Sequence, residues 1–177
     1  MIDRLIFLDF DGVLNRVDPK GFLIRNIDWL HRLPGDQLET SLVHRVASLA
    51  TNLDAQVVLS TSWRETHTMP DLIGILGRHG FPADRILGKT PRRAVRGQEI
   101  AAFLNQHPRA ARLAVLDDND RGQFDMTAVR PWLVHTDPAH GLTRGDASEA
   151  SRLLIHGPVW SDPRPADVYQ PSLDMRV

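Results

Sequence analysis

The chain has 177 residues, 42% of them hydrophobic and 24% charged, which suffices for one domain with a buried core. Its formal net charge of −1 provides no global basic field for nucleic acid or anionic membrane, and its lack of cysteine excludes disulfides, thiolate catalysis and cysteine-based zinc sites. The first residues do not form a signal peptide, and no apolar run approaches the roughly 20 residues that span a bilayer. We therefore expect a cytoplasmic protein with no membrane partner.

Short apolar runs alternate with segments of helical periodicity along the chain. In chain order, the pattern predicts a strand over 4–10, a helix over 41–53, a strand over 55–60, a helix over 69–80, a strand over 84–88, a helix over 97–108, strands over 112–118 and 132–136, and a helix from a capping box of Asp146 and Glu149 to about Ile155. Continuous apolar strands that alternate with helices predict an α/β fold, with a parallel sheet covered by helices on both faces.

Two segments do not fit this alternation. Residues 16–40 form an insertion longer than ordinary strand-to-helix connections, and its position after the first strand is typical of a flap over a site. Residues 157–177 contain four prolines and show no period, which predicts an extended tail. The expected organisation is one domain over 1–156, with 16–40 as a short flap or cap, followed by the tail.

Polar side chains follow several of the predicted strands, at the edge where parallel sheets bind ligands. The sequence places there the acids Asp9, Asp11, Asp117 and Asp118, the hydroxyls Ser60 and Thr61, and the cations Lys89 and Arg96. Carboxylates gathered in one place repel each other unless a cation joins them. Mg²⁺ is the natural choice because it prefers carboxylates, water and phosphate oxygens.

The first acids stand two residues apart, so Asp9 and Asp11 can share a target while Phe10 turns into the body. One carboxylate can attack a phosphoryl group, and the other can protonate the leaving oxygen and then deprotonate water. Gly12 allows a sharp backbone turn beside them.

Four motifs in this order resemble those of the haloacid dehalogenase (HAD) superfamily of phosphohydrolases. They are "DFDGVLN", "VVLSTSWR", a cation in either "GKTP" or "RGQEI", and "LAVLDDND". Within the superfamily, "STSWR" and a later "GLT" (141–143) are most similar to a small group associated with RNA-repair proteins. The resemblance implies a Rossmann-like sheet with a minimal cap.

The resemblance also implies roles for the four acids. Asp9 would be the nucleophile and a metal ligand, and Asp11 would be the general acid/base and give its backbone carbonyl to the metal. Asp117 would complete a Mg²⁺ site, with Asp118 as an alternative or outer ligand.

Phosphate binding is implied for a hydroxyl and a cation. Thr61 would hold a phosphoryl oxygen, with Ser60 as its chief competitor. Either Arg96 or Lys89 would offset charge on the nucleophile and the phosphate.

Trp63 and Arg64 directly follow the predicted phosphate-holding segment. They would form either a base-stacking and phosphate-gripping pair at the mouth of the site, or a packing tryptophan and an arginine paired with an acid. We favour the second alternative, in which Trp63 packs into the body and Arg64 pairs with an acid.

The sequence thus predicts a Mg²⁺-dependent phosphomonoesterase that acts through an aspartyl-phosphate. A short flap would leave the site open to a phosphorylated substrate as bulky as a nucleotide or a nucleic-acid end. The alternatives are a non-catalytic phosphate-binding or regulatory module of the same fold and a phosphotransferase. The sequence does not show whether the chain has a protein partner.

Overall fold

The computed structural model describes residues 3–18, 20, 37–107, 111–119 and 122–160. Most of the predicted flap and of the predicted tail lies outside these residues, so both boundaries remain predictions. The two described ends of the flap segment lie together, because Glu39 N donates to the Leu14 carbonyl at 2.8 Å and Arg16 pairs with Glu39 at 2.7 Å.

The structure confirms the α/β fold and the predicted order of strands and helices. The strands are β1 (Asp3–Leu8), β2 (Gln56–Leu59), β3 (Ile86–Lys89), β4 (Ala111–Asp117), β5 (Leu133–His135) and β6 (Val159–Trp160). The helices are α1 (Thr40–Asn52), α2 (Met69–Arg78), α3 (Arg96–Gln106) and α4 (Arg144–His156). Five strands form a parallel, Rossmann-like sheet in the order β3-β2-β1-β4-β5, and β6 pairs with β4 in the antiparallel direction.

Strand β1 lies at the centre of this sheet and contributes to hydrophobic cores on both faces. Ile6 and Leu8 pack in the core beneath α1, α2 and α4, whereas Leu5 and Phe7 pack in the core beneath α3. Side chains of a strand alternate between faces, so helices on both sides require the continuous apolar run seen in the sequence.

The short strand β6 was not predicted, because two residues among prolines carry no readable period. Trp160 nevertheless lies in the core beneath α3, with its ring centroid 5.6 Å from that of Trp132. The first residues after α4 therefore belong to the sheet.

The start of α4 differs from the prediction. The capping box consists of Thr143, whose hydroxyl accepts from the backbone of Asp146, and of Asp146, whose carboxylate accepts from the backbone of Thr143. The predicted pair of Asp146 and Glu149 was wrong by one helical turn, since Asp serves at the third helical position as well as at the cap. Glu149 instead pairs with Arg152 at 2.6 Å.

Helix α3 begins at a close contact. An added Cβ at Gly97 would lie 2.4 Å from Thr127 Oγ1, so only glycine permits this approach.

Among the helices of the described residues, the longest have 13 residues, and none has the length and apolar character needed to cross a membrane.

Candidate active site

The carboxyl ends of β1 and β4 lie side by side and bring two acids together. The strands pair in parallel up to Leu8 and Leu116, and the next backbone amide, that of Asp9, donates to the Leu116 carbonyl at 3.0 Å. Asp9 and Asp117 therefore occupy neighbouring positions at one edge of the sheet, although 108 positions separate them in the sequence.

Three carboxylates converge there. Asp9, Asp117 and Asp118 each offer an oxygen within 4.8 Å of the other two. Asp9 is 3% exposed and Asp117 is fully buried, whereas Asp118 is partly exposed. Three hard oxygen donors at this spacing suit a divalent cation such as Mg²⁺.

Burial makes this arrangement electrostatically costly for the protein alone. Burial, followed by repulsion from Asp117, raises the pKa of Asp9 to about 8, although Arg96 acts in the opposite direction. Burial likewise raises the pKa of Asp117 to about 6 and raises the pKa of Asp118. A bound cation would favour the charged forms of all three.

The two oxygens of Asp117 differ in their environment. Oδ1 accepts from the backbone and the side-chain amide of Asn119, at 2.9 and 3.2 Å. Oδ2 is buried and has no hydrogen-bond partner within the described part of the chain. A buried carboxylate oxygen that accepts no hydrogen bond is unfavourable without a cation nearby. Arg96 Nη1 lies 3.6 Å from this oxygen without donating a hydrogen bond to it, and the donor set fits a metal.

Arg96 is the cation at this cluster. Its guanidinium is 12% exposed and lies 3.4 Å from Asp9 Oδ2 and 3.6 Å from Asp117 Oδ2. The close packing at Gly97 brings the start of α3, and with it Arg96, to the acids. The other candidate, Lys89, ends β3 with an exposed side chain.

The two candidate hydroxyls also differ in their contacts. Thr61 is fully buried, its side chain acts on Asp9 by lowering the pKa of that carboxyl, and its hydroxyl accepts from the backbone of Trp63 at 3.3 Å. The Ser60 backbone belongs to the sheet edge, donating to the Leu8 carbonyl at 2.8 Å. Its hydroxyl has no hydrogen-bond partner among the described residues. Of the two hydroxyls, that of Thr61 is therefore the one that interacts with the acid cluster.

The carboxylate of Asp11 lies outside the three-acid group and is fixed by two donors. Trp63 Nε1 donates to Oδ2 and Asn15 Nδ2 donates to Oδ1, each at 2.8 Å. Asn15 is itself held, because its side-chain oxygen accepts from Gly12 N at 2.9 Å. The turn at Gly12 has φ +68° and passes so close to Asp118 that an added Cβ would lie 2.5 Å from that carboxylate.

Sequence reasoning did not identify the two donors to Asp11. Asn15 stands four residues after Asp11 in the first motif, and this spacing was the available signal. Trp63 packs edge-on against Phe10, with ring centroids 5.4 Å apart, so the packing interpretation is confirmed. Its hydrogen bond to an acid at a distance of 52 positions carried no local signal.

Arg64 forms the ion pair with an acid that we favoured. Its Nη2 lies 2.5 Å from Glu99 Oε1, and both side chains are 7% exposed. Its Nη1 donates at 2.6 Å to the carbonyl of Thr61. Glu99 also lies 3.9 Å from the Arg96 guanidinium. One buried network therefore links the Thr61 segment to the start of α3.

Comparison with known proteins agrees with this site. The sequence pattern of the family described as "HAD domain in Swiss Army Knife RNA repair proteins" matches residues 5–147. A search of curated proteins and a search of solved structures found no match to the chain. The matched region contains all four motifs and every acid of the site, and it covers most of the sequence. The chain therefore belongs to the HAD superfamily, in the family of HAD domains of Swiss Army Knife RNA repair proteins.

Proposed function

We propose that the chain is a Mg²⁺-dependent phosphomonoesterase that acts through an aspartyl-phosphate. Membership of the HAD superfamily supports a phosphohydrolase type of function. The observation that carries the finer proposal is the buried cluster of Asp9, Asp117 and Asp118, with Arg96 and Thr61 directed at the same carboxylate.

The metal would be held by oxygens of Asp9, Asp117 and Asp118 and by the backbone carbonyl of Asp11. Oδ2 of Asp117, which is buried and accepts no hydrogen bond within the described part of the chain, supports this assignment. When bound, Mg²⁺ would offset the charge of the acids and draw a phosphate oxygen into the site.

In the first half of the reaction, an Asp9 oxygen attacks phosphorus and the bond between phosphorus and the substrate alcohol breaks. Asp11 gives its proton to the departing alcohol oxygen. In the second half, Asp11 takes a proton from water, whose oxygen attacks phosphorus. Inorganic phosphate leaves, and Asp9 is restored as a carboxylate.

Thr61 and Arg96 would act on the phosphoryl group without changing covalently. The hydroxyl of Thr61 would donate a hydrogen bond to a phosphoryl oxygen. Arg96 would offset the negative charge that three phosphoryl oxygens bring to a buried site. Ser60 and Lys89 take no part in this assignment.

The expected substrate is a phosphate monoester on a nucleotide or a nucleic-acid end. The description of the matching family supports this substrate class. A single domain, with a flap over 16–40 too short for a large cap, would leave the site open to such molecules. A cytoplasmic location is part of the same proposal.

The test is phosphate release from a generic aryl phosphate, with Mg²⁺ and with a chelator. We expect metal-dependent turnover that Asp9→Asn abolishes. Asp11→Asn should abolish turnover while metal binding largely survives. The matched control is Asp84→Asn, since Asp84 is exposed and precedes β3 at the opposite edge of the sheet. Undiminished phosphate release by Asp9→Asn would contradict the proposal.

The same measurements separate the two alternatives. A phosphate-binding module would be stabilised against heat by phosphate or nucleotide and would release none. A phosphotransferase would yield a new phosphate ester when acceptor alcohols are added, and product analysis would detect it.

A further inference from the structure

A polar cavity of about 220 Å³ lies beside the candidate active site. Its walls come from the turn Ser62–Glu65, which follows β2, and from the segment 92–96, which leads into α3. Charged side chains dominate the walls: Arg64, Arg92, Arg93, Arg96, Glu65 and Glu99. Four guanidinium groups face two carboxylates, so the cavity has a net charge of +2.

Both carboxylates of the cavity are already paired. Glu99 pairs with Arg64 at 2.5 Å, and Glu65 pairs with Arg92 at 3.7 Å. Arg93 is different: its Nη1 donates only to the Arg92 carbonyl, at 2.7 Å, and no described carboxylate lies within ion-pair distance of it. Arg93 is exposed, and its charge remains available to an anion that enters the cavity.

The sequence around this wall is unusually basic for a chain of net charge −1. Residues 85–98 contain no acid and five cations: Arg85, Lys89, Arg92, Arg93 and Arg96. A local excess of positive charge at the rim of a cleft attracts anionic ligands from solution. Arginine in particular suits phosphate, because its planar fork can donate two parallel hydrogen bonds.

The side chain of Arg96 is shared by the cavity and the acid cluster. Arg96 lines the cavity and at the same time lies 3.4 Å from Asp9 Oδ2. A phosphoryl group on Asp9 and an anion in the cavity would therefore contact the same guanidinium. The volume is below the range of about 300–1,000 Å³ for pockets that enclose a whole small molecule, so it suits one group of a larger substrate.

We propose that this cavity binds a second phosphate of the substrate, adjacent to the phosphate that is removed. The inference rests on the proposed function and names the substrate class more closely. The substrate is a phosphomonoester whose alcohol carries another phosphate, supplied either by a nucleoside bisphosphate or by the next phosphodiester of a nucleic-acid strand. Arg93 is the principal contact and Arg92 supports it.

The kinetic test compares an aryl phosphate, nucleoside 3′- and 5′-monophosphates, a nucleoside 3′,5′-bisphosphate and short oligoribonucleotides with a terminal phosphate. We expect the second phosphate to raise kcat/KM. Arg93→Ala should lower kcat/KM about fivefold to tenfold for substrates with two phosphates, as expected for one partly exposed charge-assisted contact. The same substitution should leave kcat/KM for the aryl phosphate unchanged. Arg93→Lys should restore part of the loss.

The matched control is Arg152→Ala, which removes an exposed arginine in the second half of α4 and should change none of these values. If the bisphosphate and the oligonucleotides give the same kcat/KM, the small molecule is sufficient as the substrate. A higher kcat/KM with the oligonucleotides would identify a nucleic-acid strand as the source of the second phosphate. The inference would be overturned if the wild-type protein showed no preference for substrates with a second phosphate. It would also be overturned if Arg93→Ala lowered kcat/KM for the aryl phosphate as much as for those substrates.

A binding measurement keeps this inference separate from the proposed function. In an Asp9→Asn background, titration calorimetry should give tighter binding of the bisphosphate than of either monophosphate, and adding Arg93→Ala should remove the difference. If wild-type protein turns over no substrate, the proposed phosphatase function fails, but this binding difference still decides the inference. Equal affinities for mono- and bisphosphates would refute it.

Discussion

The indole of Trp63 holds the carboxylate proposed as general acid/base, and Trp63→Phe isolates that bond. The substitution removes Nε1, which donates to Asp11 at 2.8 Å, and keeps an aromatic ring to pack against Phe10. Asp11 then retains one side-chain donor, Asn15. Its carboxylate would be free to rotate away from the position that proton transfer requires.

The expected magnitude follows from the character of this bond. A hydrogen bond to a charged group contributes about 1.5–3 kcal/mol, equivalent to roughly 10- to 150-fold in rate if the whole bond is needed in the transition state. Since Asn15 still holds the other oxygen, we expect the lower end, a loss of about tenfold in kcat. KM should change little, because Asp11 is not proposed to bind the phosphate.

The assay is steady-state turnover of an aryl phosphate at saturating Mg²⁺, together with denaturant unfolding of each variant. Trp132→Phe is the matched control, because Trp132 also donates an indole hydrogen bond, at 3.0 Å to the Pro158 carbonyl, on another part of the sheet. Both variants should lose stability, but only Trp63→Phe should lose kcat. An unchanged kcat in Trp63→Phe would refute the idea that the indole positions Asp11.

Three further predictions concern charge and packing around the site. In metal-free protein, the raised pKa of Asp9 means that the folded state keeps a proton that the unfolded chain loses above pH 3.8; this stabilisation disappears as pH rises through about 8. Between about pH 6, the raised pKa of Asp117, and about pH 8, denaturant curves with chelator should therefore show stability falling by up to about 1.4 kcal/mol per pH unit. Mg²⁺ should stabilise the protein more at the alkaline end, and a flat profile would contradict this. Arg96→Ala should remove most phosphate release, and Lys89→Ala should leave it unchanged. Equal effects of the two substitutions would show that Arg96 is not the functional cation. Gly97→Ala should destabilise the fold by about 1–3 kcal/mol, because the added Cβ overpacks against Thr127. Gly74→Ala, with nothing within 4 Å of the added Cβ, should stabilise α2 by about 0.5–1 kcal/mol. Thermal melts in which both variants shift the melting temperature in the same direction would disprove the close contact at Gly97.

The sequence alone determined the fold class, the order of the main elements and the acids of the site. Short apolar runs separated by helical segments are typical of the buried strands of a parallel sheet, and parallel strands share one carboxyl edge. Acids placed directly after β1 and β4 were therefore expected at the same edge of the sheet, and the pairing of these two strands makes them neighbours. Local periodicity was sufficient for these conclusions because each depends on neighbouring residues.

Tertiary structure decided everything that depends on partners distant in sequence. Whether Arg96 or Lys89 faces the acids depends on the docking of α3, and the indole of Trp63 meets Asp11 across 52 positions. The same holds for the cavity, whose net charge of +2 depends on which charged side chains the turn after β2 and the segment before α3 bring together. Hydrogen bonds and ion pairs depend on distance in space, which a linear pattern specifies only when both groups lie on one element.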